Sequence, residues 1–233
     1  MRSIRSTSRV GIVLLFGCAA LGVATSGWAG RPAPMSLVFR DNFEQGIEHW
    51  EPTDPAAWKV EATSDGAVYS LFGASNYKPK YRSPYNIALV RGVYVGDFQL
   101  DVKLKSTKRD YDHRDLCLIF GYQDPDHFYY VHFGKKTDDH ANQIFIVNGA
   151  ARTKISTKTT PGTAWDDAWH KVRVTRDASE GKIAVYFDNL EEPAMTAEDK
   201  TFPAGQVGVG SFDDTGDFDD FELRGTLAKR PKN

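Results

Sequence analysis

The chain has 233 residues, 41% hydrophobic and 26% charged, with a formal net charge of −2. Residues 1–29 read as an export signal, because Arg2, Arg5 and Arg9 precede an apolar run from Val10 to Val23 and Gly27-Trp28-Ala29 forms a small-x-small cleavage site. Without its three Arg the chain keeps 26 basic against 31 acidic residues, a net charge of −5 with no basic stripe, which excludes nucleic acid as a partner.

The apolar run is too short to span a bilayer and no stop-transfer pattern follows, so the expectation is no transmembrane segment and a soluble mature chain from Gly30, exported to a periplasm or to the medium. The alternative is a lipid anchor, since Leu15-Phe16-Gly17-Cys18 approximates a lipobox ending in Cys18; Phe before the Gly is unusual there. Only Cys117 survives cleavage, so an internal disulfide is excluded and stability must come from the core and from any bound metal.

Residues 30–35 form a Pro-rich leader, residues 36–224 one domain, and residues 225–233 a basic frayed tail. Leu37 to Arg40 reads as a first strand. Trp58 to Ala62 and Ala67 to Phe72 follow, and a long polar loop bearing Tyr77, Tyr81 and Tyr85 runs from Gly73 to Asn86. Phe98 to Lys105 alternates most cleanly. Later strands are Gln143 to Asn148, Ala150 to Ile155, Trp169 to Val174 paired with Lys182 to Asp188, Gln206 to Phe212, and Phe218 to Leu223. No helical period of useful length occurs, so the fold class is all-β, an antiparallel β-sandwich or jelly roll.

The central stretch is His113 to Phe133, two apolar-rich runs flanking Gln123-Asp124-Pro125-Asp126. A four-residue loop there sets Cys117 opposite His132 and Ile119 opposite Tyr130. Alternation then gives one core face of Leu116, Leu118, Phe120, Tyr122, Tyr129, Val131 and Phe133. The other carries Asp115, Cys117, Ile119, Gly121, Phe128, Tyr130 and His132, the floor of a candidate site.

Trp169-His170-Lys171-Val172, Gly181 to Asp188, Gly205 to Val209 and Phe218-Asp219-Asp220-Phe221-Glu222-Leu223, with Phe39 to Glu44 at the front, resemble a concanavalin A-like lectin/glucanase jelly roll over nearly all of residues 36–224. Within that superfamily the chain is most similar to exported bacterial proteins grouped with 3-keto-disaccharide hydrolase-like and laminin-G-like domains. The resemblance implies an oligo- or polysaccharide partner. The E-x-D-x-x-E strand of family 16 glucanases is absent, so their two-carboxylate mechanism does not carry over.

Three functional readings stand on these residues. In a glycoside hydrolase or polysaccharide lyase, His132 and Tyr130 would exchange protons, with Asp115 orienting His132. Arg82, Tyr85, His113, Arg114, Asn142, Gln143, Asn148 and Arg152 would hold substrate, the arginines through a planar fork suited to acidic groups. The alternatives are a noncatalytic lectin-like module using the same groove and an envelope structural protein. No organic cofactor is implied. Asp41 and Glu44 near the first strand, with Asp219 and Asp220 near the last, are hard oxygen ligands that terminal strands could gather around a structural Ca²⁺. Oligomeric state is not readable.

Overall fold

A computed structural model describes residues 35–231; the signal sequence, Cys18, residues 30–34 of the leader and residues 232–233 lie outside the described residues. Sixteen strands are numbered in chain order. The first eight are β1 (Leu37–Asp41), β2 (Trp50–Pro52), β3 (Trp58–Thr63), β4 (Gly66–Leu71), β5 (Asn86–Val90), β6 (Val95–Ser106), β7 (Asp115–Asp124) and β8 (His127–Gly134). The second eight are β9 (Gln143–Asn148), β10 (Thr153–Lys154), β11 (Ser156–Thr159), β12 (His170–Asp177), β13 (Lys182–Phe187), β14 (Met195–Glu198), β15 (Gln206–Ser211) and β16 (Gly216–Leu227). One sheet runs β11-β14-β13-β12-β6-β16-β4-β3 with β1 paired on β16, and the other runs β10-β9-β8-β7-β15-β5-β2; every pairing is antiparallel.

The core follows from alternation. In β6 Phe98, Leu100, Val102 and Leu104 point inward while Gln99, Asp101, Lys103 and Lys105 stay partly wet. They meet Leu116, Leu118, Phe120, Tyr129, Val131 and Phe133 from β7 and β8, each buried side chain contributing about 1.5–3 kcal/mol. The terminal strands pair as expected, with Asp41 opposite Phe221, and β12 and β13 form the expected hairpin. β16 runs on to Leu227, where it pairs with Val95, so the expected tail begins inside a strand.

The β7–β8 register places Cys117 opposite His132 and Ile119 opposite Tyr130, as read from the sequence. The turn differs. Asp124 pairs with His127, leaving a two-residue connection, and two extra residues of β7 bulge between Phe120 and Asp124. Gly121 adopts φ +57 there, and Gly205 lies so close that a Cβ on it would sit 2.2 Å from the Gly121 carbonyl carbon. The bulge corrects one assignment: Tyr122 turns from the core face to the opposite one. That second face is itself packed, as Ile87, Leu89, Cys117, Ile119, Tyr122, Phe128, Tyr130, Phe145, Val147 and Phe212 form a separate buried cluster against which Tyr81 packs. No helix among the described residues is long and apolar enough to cross a membrane.

Candidate functional site

At one end of the seven-stranded sheet, Asp115 opens β7 and His132 lies near the end of β8, on the face that alternation assigns to them. Both are buried, at 2% and 7% exposure. The Asp115 backbone N–H donates to Asp214 at 3.0 Å, and Asp214 also accepts the Tyr111 hydroxyl at 2.7 Å. Burial raises the Asp214 carboxyl, and burial together with Asp214 pushes the Tyr111 phenol up. The His140 carbonyl accepts from His132 Nδ1 at 2.6 Å, which puts the proton of the neutral ring on Nδ1. Nε2 then lies 3.1 Å from Asp115 Oδ2 but has no aligned hydrogen bond.

Tyr130 is fully buried and stacks on Phe145 at 5.2 Å. Its hydroxyl accepts from Arg152 Nη1 at 2.8 Å, and burial drives the phenol far above its usual range. Arg152 is consumed by the structure. Its second nitrogen donates to the His140 carbonyl at 3.2 Å, and its guanidinium lies 4.3 Å from the Phe145 centroid and 4.8 Å from that of Phe212.

Above this floor is a cavity of about 260 Å³ lined by the cations Arg82 and Arg152, the imidazoles of His113, His132 and His140, the acids Asp115 and Asp213, and the rings of Tyr85, Tyr111 and Phe212. Tyr85, Phe212 and Asp213 also line a neighbouring cavity of about 350 Å³, together with Ser75, Lys78 and Asn86. Tyr85 is 38% exposed, with its ring edge-on to Phe212 at 5.4 Å. Arg82 is exposed and makes no hydrogen bond or ion pair among the described residues.

The structure thus brings together Arg82, Tyr85, His113, Asp115, His132 and Arg152, with Tyr130 beneath them. His113 sits on the rim and donates from Nε2 to Asp138 at 2.6 Å. The other expected contacts go elsewhere. Arg114 is buried away from the cavity, donating to Ser106 and to Asp167 at 2.7 Å. Asn142, at φ +54, donates to Thr137 and to the Thr160 carbonyl, and Gln143 donates to the Asp138 carbonyl, so both shape the loop instead. Asn148 lies at the far end of β9, opposite His127. Tyr111, His140 and Phe212 were not anticipated; they come from separate connections, and no local motif marks them.

The four acids expected to hold Ca²⁺ are absent from the sets at metal-ligand spacing among the described residues, although Asp41 and Asp220 line one cavity. Asp41 accepts the Phe43 N–H and the Trp50 indole N–H, both at 2.8 Å, because Phe43 turns the chain through φ +61. Glu44 accepts the Ala67 N–H, Asp219 accepts the Asp220 N–H, and Asp220 pairs with Lys103 at 2.6 Å. Among the described residues the sets at metal-ligand spacing are Asp115 with Cys117 and His132, and Asp115 with Asp213 and Asp214. A larger cavity of about 690 Å³ lies by the terminal strands, but Arg40 there is paired to Glu222 at 2.6 Å, and the lining holds no Tyr, Trp or Phe.

Two antiparallel sheets closed by paired terminal strands make this chain a lectin-like β-sandwich with the concanavalin A-like jelly-roll fold. Among solved structures it is similar to the carbohydrate binding module CBM66 from Bacillus subtilis, at 16% identity over 76% of this chain and 95% of that one, TM-score 0.53. A second is a protein of unknown function with a galectin-like fold from Bacillus subtilis, at 10% identity over 84% and 99%, TM-score 0.55. A third is domain 4 of AbnA, a GH43 extracellular arabinanase from Geobacillus stearothermophilus, in complex with arabinotriose, at 9% identity over 84% and 96%, TM-score 0.52. At these identities the likeness is one of fold. No family model and no curated protein matches the chain.

Proposed function

We propose that the chain is an exported glycan-binding protein whose ligand lies in the groove beside Tyr85. The observation that carries this reading is the pairing of an exposed aromatic ring with an uncommitted cation, Tyr85 and Arg82, on a rim that also offers His113, His140 and Asp213. An aromatic face covers the apolar face of a pyranose, and imidazoles and a carboxylate are groups that bond its hydroxyls. Arg82, with no internal partner among the described residues, favours a sugar bearing a carboxylate or sulfate. Two of the similar structures are described by carbohydrate binding or bound arabinotriose, which agrees with this reading. Residues 1–29 support export.

Binding is favoured over cleavage because the groups assigned to proton transfer, although His132 and Asp115 line the cavity, are committed to partners inside the protein. The Tyr130 hydroxyl is buried beneath Arg152, and His132 Nε2 is enclosed beside Asp115. Affinity electrophoresis on neutral and acidic polysaccharides, with reducing-end and unsaturated-product assays in parallel, tests the reading. The expected result is retardation without product, lost in Tyr85→Ala. Turnover abolished by His132→Ala and Tyr130→Phe would instead establish the hydrolase or lyase, and absence of retardation on every polysaccharide would overturn glycan binding.

A further inference from the structure

We propose that Asp115, Cys117 and His132 form a zinc site in the floor of the groove. The inference stands on the three side chains themselves and does not rest on glycan binding. Asp115 and Cys117 are two residues apart on one face of β7, and Cys117 is the direct cross-strand partner of His132 on β8. The ladder of two central strands therefore sets the spacing of all three donors before any ion arrives.

The ligand atoms lie within 4.8 Å of one another. Asp115 Oδ2 is 3.6 Å from Cys117 Sγ and 3.1 Å from His132 Nε2. A tetrahedral zinc with bonds of about 2.3 Å to sulfur and 2.0–2.1 Å to nitrogen and oxygen separates its ligands by about 3.3–3.5 Å. Two edges of the tetrahedron are therefore present to within a few tenths of an ångström.

The second, independent observation is the state of His132. Its Nδ1–H is committed to the His140 carbonyl, the outer hydrogen bond that orients a metal-binding imidazole. In the neutral ring Nε2 then holds a lone pair, buried, without a hydrogen-bond partner and facing a carboxylate oxygen. A cation fits between that nitrogen and the carboxylate: a proton on Nε2 makes the contact an ion pair, and a metal ion in the same place would also engage Cys117. The other neighbours of Oδ2, the Ser211 hydroxyl and the Phe212 N–H, are both 3.4 Å away. A mixed sulfur, nitrogen and oxygen set selects zinc over calcium or magnesium, which would prefer the oxygen-only set of Asp115, Asp213 and Asp214. Binding replaces the Cys117 S–H bond by a metal–sulfur bond and releases that proton to solvent.

The test uses the purified, reduced, metal-free chain. Titration with Zn²⁺ against a chromophoric chelator is expected to give one ion per chain, and Co²⁺ is expected to produce thiolate-to-metal charge-transfer absorption. Cys117→Ser, close to isosteric and with a melting curve like that of the metal-free wild type, should weaken zinc at least about a hundredfold, beyond the usual second-shell effect of ten- to a hundredfold. His132→Gln should do the same; if it does not fold, Cys117→Ser alone decides. Less than one zinc per chain, affinity unchanged in Cys117→Ser, or cobalt binding without the charge-transfer band would each overturn the site, the last by placing the ion on the aspartates.

Discussion

Arg152 donates from Nη1 to the hydroxyl of Tyr130 at 2.8 Å and covers the floor of the groove from above. This makes the arginine a structural cap. Arg152→Ala should cost roughly 1–3 kcal/mol, from an unsatisfied buried hydroxyl and a lost cation–π contact. Tyr130→Phe should cost less, about 0.5–1.5 kcal/mol, because the guanidinium keeps its bond to His140. The double variant should cost less than the sum of the two. Urea unfolding of the four proteins checks this, and a neutral Arg152→Ala would return Arg152 to the list of ligand clamps.

Arg82 is the counter-case, an exposed guanidinium with no internal partner among the described residues. Arg82→Ala should leave stability within about 0.5 kcal/mol. Retention on acidic polysaccharides should fall at least tenfold, about 1.4 kcal/mol, with little change on neutral ones. Raising the salt concentration should weaken the wild type on acidic glycans and leave the variant nearly flat. Equal losses on both classes would show that Arg82 acts on shape and not on charge.

Why Arg82 and Arg152 differ was not legible in the sequence. Both are lone cations among polar neighbours, and only long-range packing shows that Phe145, Phe212 and Tyr130 surround one of them. The placement of Cys117 opposite His132 was legible, because two alternating runs around an Asp-Pro turn leave few registers. Tyr122 was not, since its face depends on a bulge carried by Gly121. Strand β5 went unread for a related reason: Ile87 to Val90 is buried on both sides, so no alternation distinguishes it from an apolar loop.

The bulge itself can be tested. Gly121→Ala places a β-carbon in the left-handed region and 2.9 Å from Tyr129 Cδ2. The expected loss is about 1–3 kcal/mol. Near-wild-type stability in urea would mean that the bulge can relax and that Tyr122 can return to the core face.

Asp41 takes the role that calcium was expected to fill near the terminal strands. Its two oxygens hold the Phe43 turn and the Trp50 indole. Asp41→Ala should cost about 1–3 kcal/mol by leaving those donors unpaired. Calcium, added or chelated, should leave the melting temperature of the wild type unchanged. A chelator-dependent loss of stability would restore a terminal calcium site.

Acid should open the rim of the groove through Asp138. Burial alone would raise this carboxyl, but the N–H groups of His140 at 2.6 Å and Ala141 at 2.9 Å, with His113, hold it below the usual 3.8. A carboxyl depressed in the folded state contributes stability that is present above 3.8 and lost as the pH falls through the lower folded value. The side chain is 41% exposed, so screening keeps that contribution small. The consequence is local. The His140 carbonyl that the Asp138 turn positions accepts from both His132 and Arg152, so loosening the turn disturbs the cavity wall before the sandwich unfolds. Glycan affinity measured downward from pH 5 should therefore drop below about pH 3.8 while strand circular dichroism persists. Asp138→Asn should bind weakly at every pH and lack the acid-dependent step. If the variant kept the wild-type pH profile, the titration would belong to another group.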